Sequence, residues 1–410
     1  MDNNKLSNNS KELKLYEAAT VFVPSAPIST RDLFSGRMDQ ILNVINVIGV
    51  QGQHAIIYGE RGVGKTSLAS VIHAFLPNNG NVVTVKVNCD ADMTFKSLFE
   101  AILAEIKLVF KKPGMGFNSE IINEVKTLSE YIDRSSDINP NELRFLFREL
   151  KNKVIIIIDE FDRIKLPETR GLVADTIKNF SDYNVDTTFI LVGVADSVDE
   201  LISEHQSIER ALVQVKMPRM KQEELSQIID NGLERLNLKI SDEAKNKIVG
   251  LSQGLPHYTH LLSLYAAQEA ISRDAATIED EDAKRAISKA IDKSQESVKT
   301  GYFRAINSPK NNLFKQVLLA CALVNKNALG FFTAADISEP LTKIMGKPYS
   351  IAGYARHLSA FCEDKRGPII QQVGTSHNYQ YRFINPLMEP FIVMDGLDKG
   401  MIKDSDLAKA

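Results

Sequence analysis

Apolar positions along this chain recur with two different periods, and the change of period divides it. Up to residue 194 the chain carries short, mostly apolar runs, Ala55 to Tyr58, Lys153 to Asp159 and Thr187 to Val194, together with the strand-like Val82 to Asn88. Runs of strand length, rich in β-branched residues and bounded by polar turns, predict strands buried on both faces. Helical spacing alternates with them, at Met38 to Ile48, Phe95 to Val109 and Thr169 to Tyr183. That alternation implies a parallel sheet covered on both sides, in a strand order the sequence does not reveal. Residues 111–136 read as a polar, glycine-containing insertion.

After Pro218 the β-rich runs stop. Glu223 to Leu236, Asp242 to Leu251, His257 to Ser272 and Asp280 to Ser294 all carry helical spacing, which predicts a separate helical domain. From Asn311 three more helices are expected (Leu313 to Leu323, Thr333 to Met345, Ser350 to Glu363). Two strand-like runs follow, Ile369 to Val373 and Tyr379 to Ile384, joined by the turn-forming Gly374 to Asn378. Three helices and a hairpin are winged-helix organisation, closed by an apolar segment, Phe391 to Met394. The expected division is a disordered leader over 1–16, an α/β core over 17–218, a helical domain over 219–300, a winged-helix domain over 301–396 and a tail over 397–410.

Chemistry enters at the end of the first apolar run. Gly59-Glu60-Arg61-Gly62-Val63-Gly64-Lys65-Thr66, followed by the helix-like Ser67, has the spacing of a phosphate loop placed between a strand and a helix. Glycines let backbone N–H groups close around phosphates, Lys65 sets a charge near the β and γ oxygens, and the Thr66 hydroxyl is a ligand for Mg²⁺. Lys153 to Asp162 supplies the complement, a buried strand that ends in Asp159 and Glu160. The C-terminal edge of a parallel sheet is where ligands bind. Asp159 is therefore the candidate for the metal shell and Glu160 for the base that activates water.

Composition narrows the setting only a little. The 410 residues, 44% hydrophobic and 25% charged, suit a globular protein of two or three domains. A net charge of −3 offers no global attraction to nucleic acid or to an anionic membrane. The three cysteines, Cys89, Cys321 and Cys362, stand too far apart in sequence for a disulfide framework or a CxxC metal site, so a reducing cytoplasm is expected. No stretch approaches the roughly 18 apolar residues of a membrane span, and the Asn- and Lys-rich start lacks an apolar signal region.

Taken together, Phe34-Ser35-Gly36-Arg37, the phosphate loop, Asn88-Cys89, Asp159 to Asp162 and Leu191 to Asp196 resemble an AAA+ ATPase of the initiator branch, which holds the origin-recognition proteins. The resemblance spans residues 20–395. It implies a P-loop NTPase core followed by a helical lid and a winged helix, with ATP and Mg²⁺ as cofactors and assembly into a homo-oligomer or hetero-assembly. It places Asp196 where the family's γ-phosphate sensor, usually Asn, stands; a helix N-cap is the alternative for that residue. It implies an arginine finger at Arg210, reaching a neighbouring subunit, against a solvated or internally paired arginine. His257 falls at the second sensor, normally Arg, with a packing histidine as the alternative.

In the same family the winged helix grips duplex DNA. Here residues 311–410 hold eleven lysines and arginines against nine acidic residues, a net charge of +2, which is weak for tracking phosphates. Arg356 in the third helix and Arg382 in the hairpin are the candidate DNA contacts. The glycine-any-proline turn Gly254-Leu255-Pro256 is similar to one in STAND signalling ATPases. Two activities therefore stand open. One is an ATP-hydrolysing machine or switch acting with DNA or a partner protein, in replication or plasmid initiation, transposition or antiphage defence. The other is a nucleotide-retaining scaffold of little turnover that recruits an effector.

Overall fold

A computed structural model describes residues 2–27, 34, 36–76, 81–113, 121–131, 137–194, 208, 210–308, 312–375 and 378–407. The chain falls into two compact units, taken here one at a time.

The first unit, Arg37–Gly59 with Lys65–Met217, is built on a five-stranded parallel sheet. Its strands are β1 (His54–Gly59), β2 (Val82–Asn88), β5 (Lys153–Asp159), β6 (Thr187–Val194) and β7 (Leu212–Lys216), in the order β2-β5-β6-β1-β7. β5 lies inside the sheet between β2 and β6, and Val154 to Ile158 are buried without interruption, as a strand covered on both faces requires. The edge strand β7 was not expected from the sequence: Leu212-Val213-Gln214-Val215-Lys216 is short and half polar, and its pairing with β1 decides its conformation. Helices α2 (Met38–Gly49), α3 (Lys65–Val71), α4 (Phe95–Glu105), α5 (Pro140–Arg148) and α6 (Pro167–Asp182) accompany the sheet. Phe99, Phe180 and Phe189 stack edge to face at the centre of the core.

The helix expected over Phe95 to Val109 ends at Glu105, and strands stand at its expected last residues and in part of the expected polar insertion. Lys107–Pro113 (β3) and Ile121–Thr127 (β4) pair as an antiparallel hairpin, in register from Lys107 opposite Thr127 to Pro113 opposite Ile121. The Val125 and Lys126 alternation gave only a weak strand signal.

The second unit comprises residues 1–36, 60–64 and 218–410. Asp2–Val21 forms a helix, α1, where the sequence suggested a disordered leader. Its own residues carry no amphipathic stripe strong enough to announce it. It is anchored by tertiary contacts: Ala18 and the following Phe22 are fully buried, and Lys11 pairs with Asp274 at 3.0 Å. Helices α7 (Gln222–Arg235), α8 (Asp242–Ser252), α9 (Pro256–Ser272), α10 (Asp280–Asp292) and α11 (Glu296–Ile306) follow, with Ser241 capping α8 through the Ala244 amide.

The last segment holds α12 (Phe314–Leu323), α13 (Ser338–Met345) and α14 (Ile351–Phe361) with a three-stranded antiparallel sheet in which β10 (Gln380–Phe383) lies between β8 (Phe332–Thr333) and β9 (Ile370–Val373). The expected strands and the flanking helices appear within a residue or two of their predicted ends, except that α13 starts at Ser338 rather than Thr333. The closing apolar segment is helical, α15 (Met388–Asp398), and almost wholly buried.

Candidate functional site

The phosphate loop leaves β1 at Gly59, whose φ is +149°. A β-carbon there would lie 2.4 Å from the Met217 carbonyl oxygen, so the close pass of the loop against the chain after β7 requires glycine. Lys65 begins α3, is buried, and its ammonium donates to the Gly59 carbonyl at 3.0 Å. Thr66 follows, and its hydroxyl donates to Oδ1 of Asp159 at 3.3 Å. Two motifs 93 residues apart in the chain meet here because β1 and β5 are parallel strands whose C-terminal ends share one edge.

Asp159 is 2% exposed. Its Oδ1 also accepts from the Glu160 amide at 2.9 Å, and its Oδ2 faces the ammonium of Lys86 at 3.0 Å. Glu160 itself adopts a left-handed conformation, φ +55°, which a glutamate takes only where the surroundings impose it. Its half-exposed carboxylate pairs with Arg163 at 2.7 Å. Asp162 accepts from the Val194 amide at 2.8 Å on the same edge, fastening the end of β6.

Mg²⁺ suits this donor set. A hydroxyl and a carboxylate held 3.3 Å apart are hard oxygen donors, and the ion typically takes one or two protein oxygens beside substrate phosphates. Among the described residues no group of three or more His, Cys, Asp or Glu is gathered to hold a metal by protein ligands alone. Burial and the carboxylates around it push the Cys89 thiol up to about 12, so it is a packing residue.

Other predicted residues separate. Arg210 is exposed in the turn before β7, where buried Ile208 anchors the segment. Asp196 lies outside the described residues. His257 opens α9 but its Nδ1 donates to the Pro24 carbonyl at 2.7 Å. Burial lowers its pKa, so the ring is neutral and its other nitrogen is an acceptor, unable to donate to a phosphate. Arg61 is exposed; Gly62, Gly64 and Ser67 are half-buried and Val63 is buried.

Glu60, in contrast, is claimed by its own unit. Its carboxylate takes two bonds from Arg219, at 2.8 and 2.9 Å, and Arg219 donates two more to Glu389 of α15, at 2.9 and 2.7 Å. Lys326 completes the group at 3.0 Å from Glu389. All four side chains are buried, and a β-carbon on Gly330 would stand 2.5 Å from Glu60 Oε1. Burial raises the pKa of Glu60; the Glu389 carboxyl, also buried, is held below its ordinary value by Arg219 and Lys326. Nothing in the sequence reading found this group. The available signal was a glutamate, Glu389, just before the apolar run Phe391 to Met394.

Comparison with known proteins agrees with this geometry. Residues 49–202 match the family model of the AAA domain, and no curated protein matches the sequence. Among solved structures, the ORC2 protein of Aeropyrum pernix, determined in ADPNP and ADP complexes, aligns over 94% of this chain and 97% of its own, with 14% identity and a TM-score of 0.50. A Walker-type ATPase of Pyrococcus abyssi aligns over 91% and 99%, with 16% identity and a TM-score of 0.49. The A. pernix ORC1 protein, solved in complex with DNA, aligns over 93% and 97% at 14% identity and a TM-score of 0.48. Residues 49–202 thus match an AAA domain, in a chain whose fold is that of the ORC2 protein.

Proposed function

We propose that the chain binds ATP with Mg²⁺ and hydrolyses it, and that it works as a nucleotide-dependent conformational switch with DNA or a partner protein. The observation that carries this reading is the Thr66–Asp159 contact at 3.3 Å beside buried Lys65, which joins the phosphate-loop and acidic-strand motifs in one place. Thr66 and Asp159 would hold the metal, Lys65 would turn from Gly59 to the phosphates, and Glu160 would take the proton of the attacking water. Bound Mg²⁺ supplies charge neutralisation at the β and γ oxygens. Arg210, exposed, is offered to the site of a second copy, which makes turnover assembly-dependent. A cytoplasmic location follows from the unpaired cysteines; among the described residues no helix is long and apolar enough to cross a membrane.

The second reading, a scaffold that retains nucleotide and scarcely turns it over, is favoured by two observations. Glu160 is tied to Arg163, away from the role of a base, and His257 is tied to Pro24. In this reading the C-terminal segment recruits an effector. Equilibrium binding of a fluorescent ATP analogue, together with steady-state phosphate release, separates the two. Lys65→Ala is expected to abolish binding, and Glu160→Gln to keep binding while slowing release by about 10²-fold or more. Unchanged binding in Lys65→Ala refutes both readings. Retained nucleotide with no wild-type release, even at high protein concentration, selects the scaffold.

A further inference from the structure

Lys86 belongs to none of the motifs that identify the site. It stands in β2, where Val85 and Val87 turn into the core and Lys86, by strand alternation, takes the opposite face. There its ammonium meets Asp159 Oδ2 at 3.0 Å and Ser70 Oγ, one turn beyond Thr66 on α3, also at 3.0 Å. The Asp159 side chain is 3% exposed and that of Lys86 28%. The two oxygens of Asp159 are thus divided. Oδ1 faces Thr66 and the Glu160 amide, the side on which a metal is held, whereas Oδ2 is taken up by a cation of the protein itself.

We propose that Lys86 is a built-in counter-cation to the metal ligand Asp159, and that it lowers the affinity of the nucleotide site for the divalent ion. The inference rests on the reading of Lys65, Thr66 and Asp159 as that site. A carboxylate already paired with an ammonium offers little net charge to Mg²⁺. Repulsion between the ammonium and a dication a few ångströms away is screened less in this partly buried position than on an open surface. Ser70 holds the ammonium from behind. Changing the outer partner of a metal ligand typically alters metal affinity by about 10–100-fold. Most such partners are carboxylates or carbonyls that strengthen the ligand; a lysine acts with the opposite sign.

The experiment is a Mg²⁺ titration of the full chain loaded with mant-ADP, followed by nucleotide fluorescence, so that turnover plays no part. Wild type is compared with Lys86→Met, Lys86→Gln and Lys86→Arg, each checked for folding by circular dichroism. Lys86→Met and Lys86→Gln are expected to bind Mg²⁺ about ten-fold or more tightly, and Lys86→Arg, which keeps the charge, to resemble wild type. Unchanged or weakened Mg²⁺ binding in the two neutral variants overturns the proposal. Weakening in Lys86→Met that Lys86→Gln repairs overturns it too, and assigns Lys86 to orienting the carboxylate. Should wild type fail to bind mant-ADP, the nucleotide reading falls and takes the proposal with it. Normal mant-ADP binding with indifferent Mg²⁺ affinity defeats the role of Lys86 alone.

Discussion

Replacing Arg219 by methionine removes a cation that bonds both Glu60 and Glu389. Five bonds of 2.7 to 3.1 Å are lost, four to the carboxylates and one to the Gln253 carbonyl. In the native group two buried carboxylates face two buried cations, so the charge is balanced. In the variant Lys326 alone faces both. Removing one partner of a buried ion pair costs about 3–5 kcal/mol, because the charge left behind stays out of water. For a unit of this size that corresponds to a fall in Tm of roughly 6–20 °C. Glu60, whose pKa burial already raises, offers relief by taking a proton. The deficit should therefore shrink as the pH falls. Adding Glu60→Gln to Arg219→Met should recover more than half of it, since Glu389 and Lys326 then remain as a matched pair. Thermal melts of the four chains of this cycle measure both effects. A loss below about 1 kcal/mol at pH 8, or a double variant no more stable than Arg219→Met, would falsify the charge-balance argument.

Two further outcomes are expected. Burial holds His54 at about 3 and His260 at about 4, against 6.5 for an ordinary histidine. The unfolded chain thus binds more protons below pH 6.5, and the stability that comes from keeping these rings neutral is complete above that value and lost as the pH falls toward 4. At pH 5 the loss is about 2 kcal/mol for each ring. His54→Gln, which can still accept from the Phe189 amide as Nδ1 does at 3.0 Å, should flatten the acid limb of a urea-midpoint profile; an unaltered slope contradicts the assignment. For duplex DNA, Arg356 is exposed, whereas Arg382 lies over the Phe331 ring and bonds Gln371. If the C-terminal segment grips the backbone, Arg356→Ala should weaken retention at low salt and reduce the salt slope by about one. An identical slope removes Arg356 from the interface.

Local pattern carried much of this protein. Four of the five core strands, the phosphate loop, Asp159 and Glu160 are written in contiguous residues: a strand buried on both faces must be apolar throughout, and a phosphate loop needs its glycines and lysine at one spacing. The helices and hairpin of the last segment were legible for the same reason. Helix α1 and strand β7 were not. Their residues have weak periodicity of their own, and burial of Ala18 and Phe22 in one case, and pairing with β1 in the other, supplies what propensity does not.

The sequence by itself determined the phosphate-loop motif and the acidic end of β5, because both are matters of residue type at short spacing. Only the tertiary structure decided which charges stand beside them. Lys86 reaches Asp159 from another strand, and Arg219 joins Glu60 to Glu389 across 329 positions of chain. Such pairings arise where strand order and helix packing bring distant residues within a few ångströms, and burial then forces each charge to find an opposite. Neither constraint leaves a periodic trace along the chain.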